Sequence, residues 1–529
     1  MLPPPLGGWN TADALAVMGA EFAPTLDNLI PEQGRLRVRP GWRTWATGLP
    51  GRVDGLLDWR SGGRRRLFAA SGGTGGSAQG AGIWEVTGPG AVGAAAVDGA
   101  TSARWDGLMV NATGGDFLFA CNGADPARTF DGTTWQAWTG QMAPSGAVHP
   151  SWACTLKGRL YVGRSDRLSF WYGIPGGIGG AFTEFPLQGV ARRGGGIAGM
   201  ATWTRDGGRG SDDAAAFVTT EGEVLVYEGI DPGDASAWSL TGSYQLPRPL
   251  GVPAEGGGGA SARFLREFGG DVLVLTQGGV FALGALVSGA DQAGLGALAY
   301  TRKIEPSFLD LARGRGGQAG WELVPLAAHG LWLVNVPWGP GDAQQVAFSA
   351  ATGAACRFAG VPAACWTQSD SGTGGRAYFG HAREGRVCLW GEDEADDGAP
   401  IAAECVGAFG TFGGAGLKRF TLAQPVLSDA ADAAVRLDIV LDWQVPTPEV
   451  AARGPAAPPR AVAADGAGRW DDGIWDEASW AGEGEVSRAW RAVRGIGQAG
   501  AVRLRVTANG SRPGWLGTGL VWERGGIVR

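Results

Sequence analysis

The sequence predicts an all-β protein: a β-propeller of six or seven blades carrying a smaller β-rich platform domain. Three observations point there. Gly and Pro supply 95 and 30 of the 529 residues, so the chain turns often. Yet 44% of residues are hydrophobic and 24 are Trp, an aromatic mass that belongs in a folded interior and not in a disordered chain. Finally, a strand, turn and aromatic-bearing strand recur seven times between residues 66 and 390.

In chain order, residues 1–50 read as an arm with one convincing strand, GRLRVRPGW, expected to pack on the platform. Residues 51–400 hold the copies, which start 42 to 60 residues apart, the spacing of four-stranded blades. They are RLFAASGG…GIWEV (66–86), DFLFACNGADPARTFDGTTW (116–135), GRLYVGRSDRLSFWYG (158–173), AAFVTTEGEVLVYEG (215–229), DVLVLTQGGVFAL (271–283), LWLVNVPWGPGDAQQVAFSAATGAACRF (331–358) and RAYFGHAREGRVCLW (376–390). Asp131-Gly132, Glu221-Gly222, Gly278-Gly279 and Glu384-Gly385 are hairpin turns between apolar runs. One helix is predicted, IEPSFLDLARG (304–314), with Pro306 in its first turn and Gly314 at its end. GVPAEGGGGASA (251–262) is a connection between blades. From residue 401 to 529 longer alternating stretches such as VRLDIVLDW (435–443) and AVRLRVTANG (501–510) form the platform, interrupted by a Pro/Ala-rich excursion at 446–468.

Composition also excludes function classes. The net charge of −7 offers no electrostatic grip on nucleic acid. The opening MLPPPLGGW has no charged start before its first apolar stretch, and no run reaches the eighteen apolar residues of a membrane span, so neither export nor membrane insertion is expected. The six cysteines, with no CxxC pair, read as buried thiols. None of the three lysines completes a P-loop, and the three histidines, His149, His329 and His381, lie too far apart for HExxH. There is no GxSxG elbow. No catalytic, cofactor-binding or metal-binding residue is expected.

Two near-motifs have structural readings. TFDGTTW (129–135) is one residue short of a sialidase-type Asp-box and reads as an Asp-Gly hairpin with an inward Trp. DEADDGAPIAAE (393–404) places Asp393, Asp397, Gly398 and Glu404 at calcium-loop positions, but Ala395 stands where a ligand is needed, so a solvated acidic turn is the expectation. A third pattern is WDDGIWDEASWAG (470–482). Trp470, Trp475 and Trp480 recur at five, a step that flips sides on a strand and turns ~140° on a helix. They are candidate anchors of an irregular segment, docking on the platform, on a neighbouring subunit, or within their own subunit.

Several blocks together resemble a family of short-tailed bacteriophage proteins, the tail nozzle or tail tubular protein B. These are GGWNTADALAVMGAEFAPTLDNLIPEQGRLRVRPGWRTWATGLPG at the start, the Asn-Gly-Ala-Asp stretch followed by FDGTTW (122–135), and KGRLYVG (157–163). FTEFPLQGVARRGGGIAGMATWTRD (182–206), FVTTEGEVLVYEGIDP (217–232), LKRFTLAQPVL (417–427) and the WDxxxW run complete them. The resemblance implies a non-enzymatic virion tail protein, assembled in the cytoplasm of the bacterial host. Six copies would ring a channel below the tail adaptor and neighbour fibres or spikes, and double-stranded DNA would pass without sequence recognition. A mildly acidic wall suits such passage, since it repels phosphates where a basic one would bind them. The alternative is a propeller enzyme or glycan-binding module acting on host polysaccharide. That reading expects tryptophans and acids gathered at one propeller face, whereas the first expects them buried between blades and subunits.

Overall fold

The computed structural model describes residues 1–72, 80–142, 149–206, 211–252, 262–288, 292–339, 342–369, 375–414, 416–430, 433–448 and 486–525. Strands dominate, and they sort into small antiparallel sheets made of sequence-adjacent segments. The first is Val53–Ser61, Arg64–Ser71, Ala81–Glu85 and Val97–Ala100. The second runs from Asp106–Ala112 to Trp135–Ala137, the third from Trp152–Leu156 to Gly180–Pro186, and the fourth from Ile197–Asp206 to Trp238–Gln245. The fifth has three strands, from Leu265–Phe268 to Gly279–Ala282; the sixth runs from Glu322–Leu326 to Ala355–Phe358. The seventh, Ala363–Ser369, Arg376–His381 and Arg386–Asp393, takes its fourth strand, Gly41–Thr47, from the opposite end of the chain.

The first strand of each sheet packs beside the first strand of the next, and Ala363–Ser369 returns to Val53–Ser61, closing the circle. This is a seven-bladed β-propeller. Residues 41–47, read from sequence with the arm, belong to it and latch its last blade.

Packing between blades explains why the middle strands read as unbroken apolar runs. In the fourth blade Ala215, Phe217, Leu225 and Tyr227 face Trp152, Tyr161 and Phe170 of the third, while Ala214, Ala216, Val218 and Val224 belong to the core on the other side. A strand sandwiched on both faces has no polar side to alternate with. The tryptophans fill these layers, and among the described residues only Trp490 is exposed. Each aromatic so buried removes ~150–250 Å² from water, the main cohesive term between blades.

The turns follow the chemistry read from sequence. Gly222 has φ +81, the left-handed conformation its hairpin needs. Gly385 is required for space instead: a Cβ there would lie 1.8 Å from the Leu49 carbonyl oxygen. The helix spans Glu305–Arg315, with Pro306 in its first turn and Phe308 buried. It fills the side of the three-stranded fifth blade, together with the short helix Leu283–Val287.

The remaining strands form the platform. Ile401–Val406 and Ala433–Leu441 flank Gly500–Ala508 in one sheet; Lys418–Ser428 lies between Gly514–Arg524 and the strands Val486–Arg488 and Arg491–Gly497 in another. The arm joins both. Arg35–Val38 pairs with Gly514–Arg524, and Thr25–Asp27 sits between Ile401–Val406 and the sixth blade. The sixth blade and the platform therefore share one continuous ten-stranded sheet. Among the described residues no helix is long and apolar enough to cross a membrane.

Candidate functional site

Two places concentrate buried charge: the propeller axis and the joint between propeller and platform. The axis is lined by the first strands of the blades. It encloses about 400 Å³ bounded by Trp152, Trp366, Asp106, Arg263, Arg266 and Glu322. Arg263 donates from Nε to Asp106 at 2.8 Å and from Nη2 to the Trp105 carbonyl at 3.0 Å. Its Nη1 is 4.0 Å from Glu322, and Arg266 approaches the same carboxylate at 3.7 Å. Burial opposes the Arg263 charge, but Asp106 and Glu322 overcome it and raise its pKa. Burial raises Glu322, against the pull of Arg263 and Arg266. Arg263 thus links the two carboxylates, Arg266 adds to Glu322, and the arrangement is an ion-paired plug across the axis.

The joint is built on Asn28 and Arg39. Asn28 adopts φ +56, which Asn tolerates better than most side chains. Its amide donates to Ala359 O at 3.1 Å in the sixth blade and to Ala402 O at 2.7 Å in the platform. Its carbonyl oxygen accepts from Arg39 Nε at 2.9 Å. Arg39, wholly buried, spends its other four N–H groups on both Asp396 oxygens (2.8 and 2.6 Å), Pro40 O and Ala359 O. All five donors are satisfied, in a geometry only a guanidinium can supply. Next to it, Asp27 accepts two bonds from Arg357 at 2.7 and 2.6 Å. Burial raises the Asp27 pKa while Arg357 lowers it. Gly41 closes the node, since a Cβ there would meet the Ala395 carbonyl oxygen at 2.0 Å.

This node disposes of the acidic stretch 393–404. Asp396 serves Arg39, Asp397 accepts from Thr44 and Arg386, and Glu404, fully buried, accepts from Arg503 at 2.7 Å. Glu394 and residues 397–400 are exposed, as expected of a solvated turn, while Asp396 ties it to the arm through Arg39, Asp397 pairs within the seventh blade and Glu404 within the platform. In the Asp-Gly hairpin, Asp131 accepts the Thr133 and Thr134 amides, and Trp135 packs edge-on against Phe68. All six cysteines are free, and burial pushes every thiol above its usual value, which makes poor nucleophiles. Trp470, Trp475 and Trp480 lie outside the described residues. Sequence reading missed Asn28 and Arg39; their only local signal was that both fall in the opening block on which the family resemblance rests.

No family model matches this chain, and no curated protein does. Among solved structures it is similar to BBS1N, solved in complex with ARL6DN, at 10% identity and TM-score 0.38, covering 68% of this chain and 99% of that one. It is also similar to the extracellular domain of a putative one component system, BT4673 from B. thetaiotaomicron, at 9% identity and TM-score 0.38, covering 72% and 42%. YCF48 from Cyanidioschyzon merolae aligns at 12% identity and TM-score 0.33, covering 66% and 98%.

Proposed function

We propose that the protein is a structural subunit of a short-tailed bacteriophage tail, a nozzle component whose copies ring a conduit for genomic DNA. The observation that carries the reading is the joint. The block GAEFAPTLDNLIPEQGRLRVRPGW, part of the opening stretch that resembles the nozzle family, is the segment that welds propeller to platform through Asp27, Asn28 and Arg39. A ring that retains packaged DNA must not hinge, and a shared sheet with a fully satisfied buried guanidinium at its centre resists hinging.

Two further features support it. The axial cavity of about 400 Å³ is crossed by ion pairs; a duplex whose major groove alone is ~12 Å wide cannot use it, so the conduit lies between copies. Among the described residues the tryptophans are buried or half-buried, apart from Trp490, which favours packing over an exposed aromatic platform for sugars. In this reading the subunit is non-catalytic, resides in the virion tail, and contacts the tail adaptor and the fibres or spikes. DNA passes along an acidic to neutral wall without sequence recognition.

Negative-stain microscopy of the purified protein, alone and with the adaptor of the same phage, tests this. Six-fold rings with an open centre are expected. A monodisperse monomer that ignores the adaptor and cleaves host polysaccharide would overturn the reading in favour of a glycan-active propeller.

A further inference from the structure

A second cavity, of about 670 Å³, lies away from the axis, between arm residues 30–34, the turn Ala327–Gly330 of the sixth blade, and Trp390 of the seventh. Its volume falls in the range of small-ligand sites. Ile30, Pro31, Leu331 and Trp390 give it apolar walls. Its polar lining includes Glu32, His329, Ser349 and Arg512, and Arg512 is the chief of them. This half-buried guanidinium donates from Nε to Val38 O at 3.0 Å, which fixes the direction of its fork. Neither terminal nitrogen has a hydrogen-bond or ion-pair partner among the described residues. Burial, with Arg37 nearby, lowers its pKa to about 10, so it stays charged at neutral pH.

His329 stands beside it. Its ring packs edge-on against Trp390 with centroids 4.9 Å apart. Gly391 makes room for it, because a Cβ there would lie 2.5 Å from the imidazole. Burial and Arg512 lower the His329 pKa, so the ring is neutral and offers one N–H and one lone pair. The acid that lines the same cavity, Glu32, is engaged by Arg35 at 3.0 Å. Glu394 offsets part of the Arg512 charge through space, and Arg35 adds to the positive field.

We propose that this cavity binds a small anion, a carboxylate or phosphate on a compact apolar body, with the Arg512 fork taking the oxyanion and His329 and Trp390 flanking the body. With Nε held by Val38 O, the open Nη1–Nη2 edge of the planar fork matches either anion bidentately, and the apolar walls favour a ligand that is more than a bare ion. The inference is independent of the conduit reading and stands or falls separately.

Titration calorimetry at constant ionic strength tests it, using inorganic phosphate in one arm and benzoate in the other. Saturable binding at one site per chain is expected with at least one of them. Phosphate alone would identify a phosphoryl ligand, and benzoate alone a carboxylate on an apolar body. Arg512→Gln is expected to weaken that binding by ~10-fold or more, the worth of a charge-assisted pair. Ala328→Trp, placed on the exposed turn at the cavity wall, should block it without touching the core. Arg313→Gln, on the exposed face of the helix, should leave it unchanged. No saturable heat with either anion, or an unchanged Kd in both Arg512→Gln and Ala328→Trp, overturns the proposal.

Discussion

At the scale of single residues, the structure uses charge to fasten and neutrality to tune. His381 illustrates the second. Its Nδ1 accepts the Arg383 and Glu384 amides at 3.2 and 2.9 Å, and a proton there would break both bonds. Burial and the adjacent Arg386 lower its pKa to about 4. Because the folded value lies below the unfolded one of ~6.5, the contribution is full above pH ~6.5 and is lost as pH falls toward about 4. The thermal midpoint should therefore drop across that window. His381→Asn keeps an acceptor near the same place without titrating, so part of this slope should vanish; an unchanged slope would remove His381 from the account. Arg39 illustrates fastening. Arg39→Ala strips the partners from Asp396 and Asn28 in a buried setting and should cost ~3–5 kcal/mol. Calorimetry should register the loss as a new transition at lower temperature, where the platform parts from the propeller. Arg39→Lys should rescue little, because one ammonium cannot reproduce five directed donors.

At the scale of elements, glycines decide whether turns can close, and their reasons differ. Gly385→Ala would drive a Cβ into the Leu49 carbonyl oxygen, so the last hairpin or the segment after the latch strand must move. The expected loss is ~1–3 kcal/mol, measured against Gly51→Ala, which meets nothing within 4 Å and should be neutral. Elements also show what a sequence can reveal. The middle strands of every blade were legible, because burial on both faces writes them as apolar runs such as DVLVLT and AAFVTT. The first strands were harder, since one end faces the charged axis and mixes the pattern, as in Leu265–Phe268, LREF. The latch Gly41–Thr47 looked like part of the arm; its partner, Arg386–Asp393, lies more than 300 residues on, and local periodicity carries no information about so distant a pairing. The same distance hid the joint: Asn28 and Arg39 find their partners at 359, 396 and 402. No spacing rule links them, whereas hairpin turns, helix capping and composition act within a few residues and could be read directly.

At the scale of the whole molecule, the decisive property is that both chain ends are woven into shared sheets. The latch strand from the N-terminal side completes the seventh blade, and Thr25–Asp27 splices the sixth blade to the platform. The C-terminal strands Gly500–Ala508 and Gly514–Arg524 each pair with platform strands that precede residue 449, and the latter also with Arg35–Val38. Continuity of the backbone through 449–485 is therefore not what holds the C-terminal strands in place. An engineered protease site within that stretch, once cut, should yield two fragments that co-elute in gel filtration and separate only in denaturant. Central strands paired on both sides bury their backbone groups and open only with the global transition, so the fragments should also melt together. If the C-terminal fragment instead dissociates under native conditions, the platform owes its integrity to the covalent chain and the welded joint cannot transmit load. The rigidity argument for a ring-forming subunit would then fall at its base, whatever the rings look like.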